Sequence, residues 1–430
     1  MNNNNKEYPD VRVSRPERLQ REWRDFCLDE ALPQDHQART VWAYVESLNL
    51  APLYEQIRVS QHTPGRPPIT PEILVSLWLL ATLESISSAR ELDRRCTRDM
   101  PYMWICGGVS VNYHTLSDFR TQHSEFLESV LIDSVATLIE QGLVPLETVA
   151  QDGMRVRANA GSSSFRRKPT LDELQQQATK HLERLKEESE SESARQEADA
   201  RKQAARERAA RERKERIDEA IKQREKLAAQ REKRKKGDGR QTRVSTTDPD
   251  ARRMKMANGG YDPAFNVQFV SDGDARMIVG VDVTNEGTDG SQMAPMVDQL
   301  ESNYGKRPDR ILVDSAFATQ AAVTDVESKA TKVVGGIPRA GQLEKNGKDP
   351  YSPQRRDSEE YKQFRARMAE PSYQEVYKLR PSIAEFPNAV CRNNGLRQFR
   401  VRGLAKVKAV AIWHALAFNF RRMLNLGVLS

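Results

Sequence analysis

The chain has 430 residues, long enough for two or three domains of ordinary size and a sizeable core, which excludes a disulfide-stapled miniature fold. Hydrophobic residues make up 38% and charged residues 30%, so one part of the chain must be far more polar than the rest. The 68 Lys and Arg against 61 Asp and Glu leave a net charge of +7, a balance that favours a polyanionic partner such as nucleic acid and says nothing about the fold.

The N-terminal "MNNNNKEYPD" is polar, and residues 1–14 read as disordered. From 15 to 142 the pattern is a run of amphipathic helices punctuated by Pro and Gly, an all-helical domain. In "TPGRPPITPEILVSLWLLATLES", Thr70 is the N-cap, Pro71 the first helical residue, and Ile73, Leu74, Leu77, Leu80 and Ala81 the buried stripe. A second helix, "SARELDRRCTRD", is capped by Ser88 and presents Arg90, Arg94, Arg95 and Arg98 on accessible faces, so the pair fits either a packed bundle or a DNA-reading unit. The apolar tract Ile73–Thr82 is well short of a membrane span, and Cys27, Cys96, Cys106 and Cys391 form no C-x-x-C pair. A soluble intracellular protein with no zinc site, no disulfide framework and no membrane contact is expected.

Residues 143–152 read as a strand. Between 170 and 239 the composition changes to Glu, Arg, Lys, Gln and Ala, a long charged helical insertion. Leu171, Leu174, Leu182 and Leu185 open an apolar seam and Ile217, Ile221 and Leu227 close one, which suits an antiparallel hairpin and an intermolecular coiled coil equally. After the insertion come "AFNVQFVSD" and "ARMIVGVDVTN" as strands, "SQMAPMVDQLESNYG" as a helix and "RPDRILVDSAF" as a strand. The chain therefore reads as an α/β core, residues 143–169 and 240–430, interrupted after its first strand.

Asp152 closes the first of these strands and Asp314 the last. Each is either a turn cap or a carboxylate projecting into the crevice at the carboxyl end of the sheet. If the two converge they repel unless cations sit between them, and oxygen ligands without His or Cys favour Mg²⁺ or Mn²⁺. Two such ions suit in-line phosphoryl displacement. In "QDGMRVRANAG", Gly153 would let the chain turn beside Asp152, while Arg155 and Arg157 share one face of an extended segment, either near DNA phosphates or solvating an edge.

Tyr377, Arg380, Glu385 and Arg392 resemble the Y-R-E-K signature of DDE-type insertion-sequence transposases. "QDGMRVRANAG" and "ILVDSAFA" resemble the family's two Asp segments, "TTDPDARRMKM…GGYDPAFNVQ" its return from the insertion, and "GLRQFRVRGLAKVKA" the tract after the Glu. The resemblance implies a ribonuclease H-like catalytic core with Asp152, Asp314 and Glu385 as catalytic metal ligands, acting on double-stranded DNA at element ends and target. It also implies a homo-oligomer on DNA and a place on the nucleoid. Two features depart from the pattern: four residues, not three, separate Arg380 from Glu385, and Arg392 replaces a Lys. Pro387 lies two residues beyond Glu385, where a helix interior would break, which leaves Glu375 as the nearest substitute. Arg392, Arg397, Arg400, Arg402, Lys406 and Lys408 follow without an intervening acid and suit phosphate contact. Tyr377 and Arg380 fit either DNA orientation or bracing of the Glu helix. The activities consistent with these residues are strand cutting and joining, nuclease action without joining, and DNA binding by a decayed site.

Overall fold

A computed structural model describes residues 25–57, 67–191 and 197–429. The expected disordered segment 1–14, and the first residues of the expected helical domain, lie outside the described residues. Eight helices occupy 28–140 among the described residues, the longest being Ser124–Glu140. In Pro71–Leu83 every residue except Glu72 is buried, so the expected stripe is a helix buried all round. The reason is that Gln37–Glu46, Met100–Cys106 and Tyr113–Gln122 surround it together with the last helix of the chain, Leu404–Asn425. Ser88 caps Ala89–Arg95 as expected, its hydroxyl accepting from the Glu91 amide. The arginines of that helix are engaged locally, Arg94 and Arg95 with Glu91, Arg95 also with Asp99, and Arg90 over the Tyr113 ring.

The strands are β1 (Thr148–Arg157), β2 (Phe165–Arg166), β3 (Val244–Ser245), β4 (Arg252–Lys255), β5 (Tyr261–Asp272), β6 (Ile278–Thr284), β7 (Arg310–Val313) and β8 (Lys332–Gly335). One mixed sheet runs β5-β1-β7-β8, with β4 and β6 following one another along the outer edge of β5. β1, β7 and β8 are parallel, and β5 is antiparallel to β1 and to β6. The expected series of strand, insertion, strand, strand, helix, strand is present, and β8 and the short β2, β3 and β4 are additional to it. The first strand is shifted from its expected span. It starts at Thr148, beyond Pro145, which has no amide to give a ladder, and it runs five residues past Asp152 because its pairing with β5 continues to Arg157↔Ala264.

The charged segment is an antiparallel hairpin within one chain, helices Lys168–Ser191 and Glu197–Arg234. Gln175 donates to Asp218 at 2.7 Å and Gln203 to the Leu185 carbonyl at 3.1 Å, contacts whose order fixes the antiparallel sense. Leu171, Ala220 and Val244 form a small core at its root, separate from the main one. There the β2–β3 ribbon closes the entry and exit of the insertion.

Leu404–Asn425 joins the helical region to the sheet. It packs on β6 and on the N-terminal helices, and Trp413 donates to the Arg120 carbonyl at 3.2 Å. Asn419, buried, works as a strand substitute. Its Oδ1 accepts from the Ile278 amide and its Nδ2 donates to the Ile278 carbonyl, both at 2.8 Å. Replacing Asn419 with Ala should leave both Ile278 groups unpaired and lower stability by about 2–4 kcal/mol. Denaturant unfolding checks this, and a loss under about 0.5 kcal/mol would mean that water replaces the amide.

Candidate active site

The pairing of β1 with β7 ends at Ala150↔Leu312. Asp152 and Asp314 each stand two residues beyond that last pair, so the parallel register sets them level on neighbouring strands roughly 5 Å apart. Asp314 directly follows β7, as expected, and its carboxylate accepts from the Ala316 amide at 2.7 Å. Asp152 does not close its strand. It lies within β1, opposite Phe269 of β5. Burial pushes the Asp152 carboxyl up to about 6; the Asn388 hydrogen bond and the Arg380 guanidinium oppose that rise, and the Asp314 charge adds to it.

The third acid arrives on a helical segment crossing this end of the sheet. Helix Pro371–Tyr377 is followed by a π-helical turn, Pro381–Glu385, and then by helix Phe386–Asn393. Arg380 donates to Glu385 at 2.7 Å and lies 4.0 Å from Asp152, so one guanidinium links the two acids. On an ordinary α-helix residues five apart point about 140° away from one another. A π turn closes from i to i+5 and brings such a pair to one side, which accommodates the extra residue between Arg380 and Glu385. Pro387 occupies the second position of the following helix, where its missing amide costs little. Glu375 is exposed and paired with Lys378. Asn388, one turn beyond Glu385, donates to Asp152 Oδ2 at 2.8 Å.

Among the described residues no three His, Cys, Asp or Glu side chains form a group able to hold a metal by themselves. Full convergence of the three acids is thus not what the structure holds: two are level and the third is tied to one of them, Asp152, through Arg380, whose positive charge offsets both. The donor chemistry still fits a hard cation. The acids at this end of the sheet supply only oxygen, no Cys or His stands among them, and the buried Oδ1 of Asn388 has no hydrogen-bond partner.

Gly153 corrects the expected turn. It lies in β1 without a positive φ, and a Cβ there would sit 2.5 Å from Asp289 Oδ1 and 2.6 Å from Gln268 Nε2. Side chains alternate along the strand, so Gly153, Arg155 and Arg157 face away from the side that carries Asp152. There Asn266 and Gln268 donate to Asp289 Oδ1 at 2.6 and 3.0 Å, and Arg155 pairs with Asp289 Oδ2 at 2.6 Å. Arg155 is therefore occupied by a buried acid, and Arg157 pairs with Asp262 at 3.0 Å. The Asp289 network was missed in the sequence, where its only signal is Asn266 and Gln268 on alternate positions of an otherwise apolar strand.

The basic tract is laced to the end of β1. Phe399 donates to the Arg157 carbonyl at 2.8 Å and Asn159 to the Arg400 carbonyl at 3.0 Å. Arg392, Arg397, Arg400, Arg402 and Lys406 are exposed, whereas Lys408 lies between Glu128 and Asp282 at 3.4 and 3.7 Å. Tyr377 reaches the end of β8, its hydroxyl 3.3 Å from where a Cβ on Gly336 would stand, and Gly336 in turn adjoins Ser315 after Asp314.

Residues 26–122 match the family described as Transposase domain (DUF772), and residues 237–420 match the family described as Transposase DDE domain. The chain belongs to the DDE-type insertion-sequence transposases. Asp314 and Glu385 of this transposase lie within the second matched segment, and Asp152 lies between the two. Neither a curated protein nor a solved structure matches the chain. No helix among the described residues is long and apolar enough to cross a membrane.

Gly153→Ala should destabilise the transposase by about 1–3 kcal/mol, although alanine is otherwise the better strand residue, because the Asp289 network must move. Unchanged unfolding would show that the network yields freely. Asp152 gives a pH test. Its folded carboxyl holds a proton to higher pH than the unfolded one, so the metal-free chain loses stability as pH rises from the ordinary 3.8 toward about 6. Asp152→Asn should remove that loss, being the more stable chain above this window and not below it. Parallel pH–stability curves for the two chains would contradict the buried carboxyl.

Proposed function

We propose that the transposase cuts and joins DNA strands at element ends on a ribonuclease H-like core, with Asp152, Asp314 and Glu385 holding Mg²⁺ or Mn²⁺. The observation that carries this reading is the level placement of Asp152 and Asp314 on two adjacent parallel strands, each two residues beyond the last pair that joins them. The sheet order β6-β5-β1-β7-β8, in which β5 alone runs antiparallel, supports the core assignment. Bound at these carboxylates, the cations would offset charge at the attacking and leaving oxygens of a phosphoryl transfer.

The chain's own residues supply the rest. Arg380 keeps Glu385 turned toward Asp152. Arg392, Arg397, Arg400, Arg402 and Lys406, exposed along or just beyond the end of β1, bind backbone phosphates and carry the strand toward the acids. Arg155 and Lys408 are held in ion pairs and contribute less. The N-terminal helices bind the element end, and a homo-oligomer brings two ends together. Hydrolysis frees a 3′-hydroxyl at the element end, and that hydroxyl attacks a phosphorus of target DNA; both are in-line displacements.

Single-turnover assays on DNA carrying the element's own terminus test this. Asp152→Asn and Asp314→Asn should each remove divalent-cation-dependent cleavage while end binding stays within a few fold. Glu385→Gln should behave alike and Glu375→Gln should cleave normally. Near-normal cleavage by either Asp variant would overturn the assignment, and failure of the unmutated chain to join a pre-cut end would reduce the activity to a nuclease.

A further inference from the structure

Asn388 is a buried side chain that none of these steps uses. It sits on helix Phe386–Asn393 with only 5% of its surface exposed. Its Nδ2 donates to Asp152 Oδ2 at 2.8 Å, and its Oδ1, equally buried, has no partner. The orientation of the amide follows from chemistry. An ionised carboxylate only accepts, so the NH₂ must face Asp152 and the carbonyl must point elsewhere.

Packing does not account for an amide at this position. A leucine would fill a similar volume on the same helix and would leave no orphan oxygen in the interior. Nor does a need for more ligand charge. A carboxylate in its place would set a further negative group against Asp152, whereas the amide restrains Asp152 and adds no charge. The other side chain on this acid is a cation, Arg380, whose Nη1 stands 4.0 Å from Asp152 Oδ1, so the Asn388 oxygen is the buried acceptor left unpaired between the two groups that hold Asp152.

We propose that Asn388 is a positioning residue of the cation site: its amide aims and restrains Asp152 for a divalent cation, and its spare carbonyl oxygen accepts from that cation's hydration shell. This rests on the metal reading above. It makes Asn388 a partner of the ligand, of the kind whose loss weakens metal binding without removing a ligand.

The test is titration of the full-length chain, without DNA, with Mn²⁺ alone, free Mn²⁺ being followed by electron paramagnetic resonance. Asn388→Ala and Asn388→Leu should each weaken Mn²⁺ binding roughly 10–100-fold. The Leu variant fills the same space but gives up the hydrogen bond to Asp152, so without metal it should still unfold cooperatively at a lower midpoint, and that transition shows a folded chain even where the Ala variant does not fold. Asp152→Asn, measured alongside, should bind no Mn²⁺ at the site. If the Leu variant binds Mn²⁺ as tightly as the unmutated chain while Asp152→Asn does not bind, Asn388 only fills space and the inference fails with the metal reading intact. If Asp152→Asn binds Mn²⁺ normally, the metal reading fails and takes the inference with it.

Discussion

A carboxylate held inside a β ladder constrains this site more than any other contact. Asp152 is the fourth of nine consecutive pairs between β1 and β5, so its carboxylate is fixed to one face of the sheet and cannot change face without breaking the ladder. A charge so placed demands compensation. The groups that offset it, Asn388 and Arg380, come from one helical segment, which is thereby pinned across the end of the sheet. Register makes the constraint two-sided. Slipping β1 by one residue would send Asp152 into the Asp289 network and thrust Gln151 or Gly153 toward Arg380.

The same economy links pieces that are remote in sequence. The return leg of the insertion carries Asp248 and Asp250, which accept from the Gly403 and Leu404 amides at 3.2 and 3.0 Å and so cap the last helix of the chain. That helix runs from the basic tract into the heart of the N-terminal bundle. Arg402, at its approach, borders a cavity of about 550 Å³ shared with Arg213 and Arg216 of the hairpin. The insertion is therefore rooted against the basic tract, not attached as a free spacer, and a polyanion lying along one meets the other.

Much of this was legible in the sequence because its signals are local. Gly, Asp and Pro punctuation around apolar runs located β5, β6 and β7, and Ser88 announced its helix by a cap that needs only neighbouring residues. What stayed hidden depended on distant partners. Asp152 looked like a strand end because its supporting strand, β5, lies beyond the whole insertion. Gly153 looked like a turn because Asp289, which takes the space a side chain would need, is far along the chain. Pro71–Leu83 looked one-sided because the fourth wall of its pocket comes from the C-terminal helix. The choice between hairpin and coiled coil was likewise undecidable locally, since an alanine-rich middle favours neither.

The π turn at Pro381–Glu385 bears on how signatures of this kind are written. A motif stated as fixed residue counts treats the helix as a ruler, yet what the chemistry senses is angular position around an axis. One widened turn absorbs an inserted residue and returns the downstream groups toward their former azimuth, so the residue count can change while the facing surface does not. A pattern search that demands three residues between the arginine and the glutamate passes over this chain. One written in helical phase would find it.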